Sequence, residues 1–171
     1  MTLLMAARHL LAILLLPFMV VVVIPRWIIR AWAMSDTRWQ PGFAATTAHV
    51  AGAVIFLTGF AFFAWCIGLF ARVGKGTLAP WDPTRRLVVT GPYRYVRNPM
   101  ISGVLMIIAG EALFHGSTSL GLWMLTFFLF NQIHFLVYEE PNLESRFGDE
   151  YRTYKAGVRR WIPRLSAWTG H

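Results

Sequence analysis

The chain has 171 residues, and 56% of them are hydrophobic while only 14% are charged. A soluble domain usually carries about 25% charged residues, so this composition excludes an ordinary soluble fold and predicts an integral membrane protein. The net charge of +8 does not indicate nucleic-acid binding, because the cations lie in short loops beside apolar runs. Membrane orientation and anionic lipid head groups explain that placement better.

Cys66 is the only cysteine, and it lies in the middle of an apolar run. One cysteine cannot form an intrachain disulfide, and it excludes a metal site built on a Cys-x-x-Cys pair. We therefore predict no metal centre, and we interpret Cys66 as a small buried hydrophobic side chain.

Residues 10–24 form the first apolar run, and Arg26 and Arg30 follow it closely. A helix needs roughly 20 residues to cross the hydrocarbon core, and the run approaches this length if Arg8 reaches the interface through its flexible side chain. A secretory signal peptide is the alternative, because Arg8 precedes a short apolar region and small residues follow at positions 31 and 33. The two arginines directly after the run favour a retained helix.

Three further apolar runs cover residues 43–71, 99–114 and 120–138. The first of them carries Ala44, Ala48 and Gly52 at four-residue spacing, a pattern that lets another helix approach closely. Pro99 suits the first turn of the next helix. The short polar stretch at 115–119 predicts a tight turn, so the last two helices form an antiparallel hairpin.

Polar side chains interrupt the last apolar run. Asn131, His134 and Tyr138 lie on one face of the predicted helix, and Gln132 and Glu139 lie on the adjacent stripe. Polar groups within a membrane helix face protein or a water-filled cavity. This helix is therefore predicted to line a site.

Two polar segments, residues 72–98 and 139–171, are rich in Arg, Lys, Tyr and Trp. We predict one membrane domain: two spans in residues 1–71, an interfacial segment, the hairpin of 99–138, and a tail. In the tail, Gly148 should end a short helix or turn, with residues 149–158 helical behind it. Thirteen of the sixteen Lys and Arg residues lie in the two segments and at Arg8, so the positive-inside rule makes this face and both termini cytoplasmic.

The ends of the hairpin carry the residues that could do chemistry. Gly91 and Pro92 predict a turn before the third helix, and Arg97 follows at its entrance, level with Glu139 and Glu140 at the end of the fourth helix. An interfacial salt bridge is the simplest interpretation. A functional site is the alternative, because two carboxylates that end an apolar helix are costly and the negative helix C-terminus disfavours them further.

Two blocks of residues carry a family resemblance. The first block is Gly91, Pro92, Tyr93, Arg97, Pro99 and Gly103, and the second is Glu139, Glu140, Leu143, Phe147, Gly148, Tyr151 and Tyr154. With this spacing the chain resembles the isoprenylcysteine carboxyl methyltransferase and phospholipid methyltransferase superfamily over roughly residues 78–163. Asn98 and Ile101 depart from the pattern, because they stand where the family usually has histidine and tyrosine. Asn98 keeps hydrogen-bonding capacity without a charge.

The resemblance implies a membrane methyltransferase that uses S-adenosylmethionine and releases S-adenosylhomocysteine. The implied fold is an all-α integral membrane bundle of four, or five, transmembrane helices, with a C-terminal cytoplasmic helix and a cofactor pocket at the cytoplasmic interface. The implied catalytic residues are Arg97 and Glu140, and the implied cofactor-binding residues are Tyr93, Tyr95, Arg97, Asn98, Pro99, Glu139, Glu140 and Tyr151. The implied partners are membrane lipid and a lipophilic small-molecule or lipid-modified substrate.

The possible methyl acceptors differ in whether they need a general base. A carboxylate or thiolate needs no general base, whereas an amine needs one, and the nearest candidate in the sequence is His134. This favours an acid or a thiol as acceptor, and the resemblance then implies the carboxylate of an isoprenylcysteine-like substrate or a related acid or thiol. Three alternatives stay open: N-methylation of a phospholipid amine, a reductase like the much longer sterol C14-reductases, and a non-enzymatic scaffold or carrier.

The charge asymmetry generates a topology prediction. A reporter fused after His171 should be cytoplasmic, and so should one inserted between residues 72 and 98, since the cations that stay inside lie there. Protease or fluorescence reporters in intact cells measure this directly. A reporter after His171 that is reached from outside the cell would contradict the prediction.

Overall fold

The computed structural model describes residues 16–32, 36, 38–69, 72 and 87–170. Every regular element in these ranges is helical, which confirms the all-α prediction for the described part of the chain. Six α-helices lie there: α1 Ile24–Ala31, α2 Phe43–Leu69, α3 Pro99–His115, α4 Thr118–His134, α5 Glu140–Phe147 and α6 Asp149–Gly157. A 3-10 helix, Gly91–Arg94, precedes α3.

Two helices are long and apolar enough to cross a membrane, namely α2 and the continuous helix Thr118–Phe147 that contains α4 and α5. Helix α3 is apolar but shorter, with 17 residues. Residues 1–15 lie outside the described part of the chain, and with them residues 10–15 of the first apolar run. The count of four or five spans therefore stays a prediction, as does the choice between a retained helix and a signal peptide.

Two widened helical turns each stand just before a proline. The π-type turn Met19–Val23 precedes Pro25, and the π-type turn Phe135–Glu139 precedes Pro141. A proline has no N–H, and its ring crowds the carbonyl four residues earlier. A wider turn accommodates that ring, so the helix bends but does not end.

The fourth helix is therefore longer than the sequence predicts, because it runs through Pro141 to Phe147 instead of ending at Tyr138. Glu139 and Glu140 lie within a continuous helix, and Glu140 is in the first turn of α5. The expectation that a helix C-terminus disfavours them is thus wrong. Their burial has to be balanced by side chains from other elements.

Helices α2 and α3 pack closely because glycines meet at two crossings. Gly52 faces Gly110, and Gly59 faces Gly103. A Cβ atom added at Gly110 would lie 2.7 Å from Gly52 O, and one added at Gly59 would lie 2.8 Å from Gly103 O. Small residues allow such close backbone approach between membrane helices, and here they set α3 directly against α2.

The packing face of α2 differs by one residue from the predicted one. Ala48 and Gly52 are buried, as the small-residue pattern predicts, but Ala44 is exposed and Ala45 is buried in its place. The buried residues continue along the helix to Gly59. A seven-residue step from Gly52 to Gly59 keeps both on one helix face, whereas a strict four-residue step drifts away from it.

Gly116 and Ser117 connect α3 to α4, which confirms the predicted tight turn. Gly116 has a φ of +64°, a left-handed conformation that favours glycine, and its N–H bonds to the last carbonyls of α3. Asp36 holds the start of α4, because it accepts hydrogen bonds from Ser117 Oγ and, at 3.1 Å, from Ser119 N.

Alanine at Gly110 should destabilise the protein by about 1–3 kcal/mol, because its methyl group would overlap the α2 backbone. Gly121 on α4 is the matched control, since a Cβ there meets nothing within 4 Å, and Gly121→Ala should be neutral or stabilise by up to about 1 kcal/mol. Thermal unfolding in detergent measures both. Equal stability of the two variants would contradict the glycine crossing.

Candidate functional site

The tail after α6 turns back and runs beside the segment that leads into α3. Three backbone hydrogen bonds join them: Arg97 N to Arg159 O at 2.9 Å, Asn98 N to Arg160 O at 3.3 Å, and Arg164 N to Tyr95 O at 2.9 Å. Farther along, Trp168 N donates to Arg94 O, and Arg94 Nε donates back to Trp168 O at 2.7 Å. The tail is thus docked along residues 94–98.

Aromatic packing anchors the same segment from two sides. Tyr93 packs with Cys66 at the end of α2, and Tyr154 of α6 packs beneath the tail against Trp168. The Tyr154 hydroxyl donates to Tyr93 O at 2.6 Å. Burial raises the pKa of both Tyr93 and Tyr154, so both phenols stay protonated and Tyr154 remains a donor.

Glu140 is the centre of a charged cluster and is only 5% exposed. Its Oε1 accepts from Arg97 Nη1 at 2.8 Å and from Arg160 Nε at 2.9 Å, while its Oε2 lies 3.0 Å from Lys155 Nζ. Lys155 also binds Glu144 at 2.6 Å, and the hydrogen bonds to Glu144 and Glu140 raise the pKa of Lys155. A buried carboxylate is tolerated when it is paired and hydrogen-bonded in this way.

Gln132 extends this cluster into α4. Its Oε1 accepts from Arg160 Nη1 at 3.0 Å and from Trp161 Nε1 at 2.7 Å. The Trp161 ring packs on Phe128 and Phe135, with ring centroids 5.1 and 5.9 Å away. Gln132 is therefore the polar side chain through which α4 lines the site.

Of the two polar stripes on this helix, the one with Asn131, His134 and Tyr138 makes no hydrogen bond to the charged cluster within the described residues. Asn131 Nδ2 donates to Phe127 O of its own helix, and Tyr138 is 58% exposed. The His134 ring contacts aromatic rings, including that of Tyr138 at 5.4 Å. The prediction that the polar groups of this helix face protein or a cavity is wrong for Tyr138 alone, since Asn131 and His134 are half-buried and Gln132, on the adjacent stripe, faces the tail.

Two buried donors at this end of the helices, Arg97 Nε and Asn98 Nδ2, have no acceptor within the described residues. The carboxylate of Glu139 is half-buried and makes no hydrogen bond there, although the charge of Arg160 acts on it. The Glu139 charge adds to the burial that raises the pKa of Tyr93, which puts this carboxylate near Tyr93. An orphaned buried donor costs about 1–3 kcal/mol, so a ligand that supplies an acceptor fits here.

The structure gathers most of the predicted site residues. These are Tyr93, Arg97, Asn98, Pro99, Glu139, Glu140 and Tyr151. Tyr151 OH lies 3.4 Å from Arg97 Nη1. Tyr95 joins the tail through its carbonyl, while its side chain is 39% exposed. The catalytic and cofactor-binding roles of these residues stay predictions.

Sequence reasoning missed the roles of Lys155, Arg160 and Trp161. It counted the two cations only toward the charge of the tail, since many exposed Lys and Arg residues have the same local pattern. The available signal is their position, because all three lie within seven residues of Tyr154, where the second motif block ends.

A cavity of about 110 Å³ lies at the opposite end of α3 and α4. It is lined by Ile29, Asp36, Arg38, His115 and Ser117. It is far along the helices from Arg97 and Glu140, so it is not the predicted cofactor pocket. That pocket at the cytoplasmic interface stays a prediction.

The fold and the site define a helical membrane protein with a charged, partly unpaired polar cluster at the end of its long helices. Residues 47–150 match the family model described as phospholipid methyltransferase, and the chain belongs to that family. The family is one of membrane methyltransferases, which confirms the resemblance and implies S-adenosylmethionine as methyl donor. A stretch of 63 residues, 37% of the chain, is 40% identical to the whole of an uncharacterized protein from Haemophilus influenzae. No solved structure matches the chain.

Removing the central charge should be costly. Glu140→Gln is expected to lower the free energy of unfolding by about 3 kcal/mol, because two nearly buried guanidinium groups lose their counter-ion. Asp149→Asn is the control, since its ion pair with Arg152 is exposed and should contribute about 1 kcal/mol or less. Chemical or thermal unfolding of the purified protein compares them, and equal losses would contradict the central position of Glu140.

Proposed function

We propose that the protein transfers a methyl group from S-adenosylmethionine to a lipophilic acceptor at the end of α4, on the cytoplasmic side of the membrane. The observation that carries this proposal is the pair of buried donors without an acceptor on the adjacent residues Arg97 and Asn98. The carboxylate of Glu139, which lies near Tyr93, adds an anion at this end of the helices. Donors and an anion together are complementary to the carboxylate and the positive charges of this cofactor.

Residues of both motif blocks would hold the cofactor. Arg97 and Asn98 would bind its carboxylate, and Glu139 would face its ammonium or sulfonium group. Tyr93, Tyr95 and Tyr151 offer aromatic and hydroxyl surface beside them, and Pro99 fixes where α3 starts. Glu140 acts through Arg97, because its own oxygens already accept from three cations.

When bound, S-adenosylmethionine supplies an electrophilic methyl group on a sulfonium centre. The chain's part is to orient the two reactants and to keep water out, since opposite charges attract more strongly in a dry site. The tail docked along residues 94–98 and the buried Tyr151, whose hydroxyl lies 3.4 Å from Arg97 Nη1, would help to exclude water from one side.

For the acceptor we propose the carboxylate of an isoprenylcysteine-like substrate or a related acid or thiol. Such a group reaches the site already ionised and needs no base. The carboxylate of Glu139, which makes no hydrogen bond within the described residues, favours a second candidate, a phospholipid amine, because a carboxylate oxygen near the acceptor could take its proton. His134 is less suited to this role, since its ring packs against Tyr138 and Phe130.

S-adenosylhomocysteine should stabilise the parent protein, by about 2.7 kcal/mol at a hundred times its Kd. Glu139→Gln, Glu140→Gln and Arg97→Ala should each abolish or strongly weaken that binding in protein that still purifies as one folded species. Glu150→Gln, an exposed carboxylate on α6, is the control and should bind as the parent does. Affinities of the three site variants within about twofold of the parent would refute the cofactor site; a scaffold or carrier would give no stabilisation at all.

The two acceptor classes differ in the stability of their products. Membranes that contain the protein are incubated with cofactor labelled in its methyl group, and the lipid-soluble label is then treated with base. A methyl ester releases the label as methanol, whereas a thioether or an N-methylated head group retains it. Base-resistant label in a phospholipid head group would show that the acceptor is the phospholipid amine and not an acid.

A further inference from the structure

Arg160 lies where the tail, α4 and the entrance of α3 meet. Its guanidinium donates to Glu140 Oε1 at 2.9 Å and to Gln132 Oε1 at 3.0 Å, and its backbone carbonyl accepts from Asn98 N. The side chain is 11% exposed. One buried arginine therefore touches all three elements that form the site.

We propose that Arg160 is a positioning residue: it clamps the tail, residues 158–168, onto residues 94–98 and so holds the unpaired nitrogens of Arg97 and Asn98 in place for the cofactor. This inference rests on the proposed function. The backbone carries this effect, since Arg97 N and Asn98 N donate to carbonyls of the tail. When the tail undocks, Arg97 N and Asn98 N lose the backbone carbonyls to which they donate.

An arginine is required at this position because two separate acceptors are bridged. Gln132 and Glu140 lie about two helical turns apart, on either side of the π-type turn Phe135–Glu139. The planar guanidinium presents a rigid fork of donors that can reach both, whereas a lysine offers a single ammonium nitrogen. Trp161 donates to the same Gln132 oxygen, so Gln132 accepts hydrogen bonds from two consecutive residues of the tail.

Arg159 is a matched control. It is the adjacent arginine, and its side chain is exposed while its carbonyl makes the backbone contact to Arg97. Arg159→Met therefore removes an equal charge and leaves the clamp intact.

The test uses the full chain and measures two quantities, hydrogen exchange of the Arg164 and Trp168 amides and the affinity for S-adenosylhomocysteine. In Arg160→Met, exchange at these amides should rise roughly tenfold or more, and affinity should fall roughly tenfold, because only the docked fraction binds. Amides of Ile107 and Ile108, buried between helices, should exchange as in the parent. Arg159→Met should stay within about twofold of the parent in both quantities.

Two further variants keep the test decisive if Arg160→Met does not fold. Arg160→Lys loses the contact with Gln132 and keeps a cation beside Glu140, whereas Gln132→Met loses the contacts of both Arg160 and Trp161 and keeps Arg160 beside Glu140. Both affinities should therefore fall below that of the parent, and that of Arg160→Lys should lie between those of the parent and Arg160→Met. Parental tail exchange or parental affinity in Arg160→Met, or in Gln132→Met if it is the one that folds, would overturn the proposal. If the parent itself binds no S-adenosylhomocysteine, the proposed function fails, while the exchange of the tail still decides whether Arg160 is the clamp.

Discussion

The buried carboxylate of Glu140 constrains the rest of the site. A charge in a nearly water-free position needs partners, and its partners come from three separate parts of the chain: Arg97 before α3, Lys155 on α6, and Arg160 in the tail. Each partner would be a costly buried or half-buried cation without Glu140. The elements that carry them therefore dock together, because the charges cannot be satisfied separately.

Two features of the helices bring Glu140 to that position. The π-type turn before Pro141 lets the helix continue past the proline, so Glu140 lies within a continuous helix. The glycine crossings between α2 and α3 fix the other side, since they determine where α3 begins and hence where Arg97 stands. Gly103 belongs to the first motif block. It has no side chain that could take part in the charged cluster, and its role is this close packing against α2.

The paired glutamates separate into two environments. Adjacent residues on a helix point about 100° apart, so Glu140 faces the cations of the tail while Glu139 lies toward Tyr93 and makes no hydrogen bond in the described part of the chain. A site that has one carboxylate held by three cations and one without a hydrogen bond can both hold its own shape and accept a positive ligand. This division supports the proposed cofactor site and explains why the two residues are not interchangeable.

The sequence by itself determined the membrane class, the helical fold and the nearness of Arg97 to Glu140. Hydropathy runs and a tight turn are local properties, and a short turn between two helices brings their far ends to one side of the membrane. Only the tertiary structure decided that the helix passes through Pro141, that Gln132 and not Tyr138 faces the site, and that Arg160 closes it. The contacts of Arg160 join side chains 20 and 28 residues apart. The widened turn before Pro141 changes the rotation of the helix beyond it, so a hydropathy pattern alone does not show which face meets the tail.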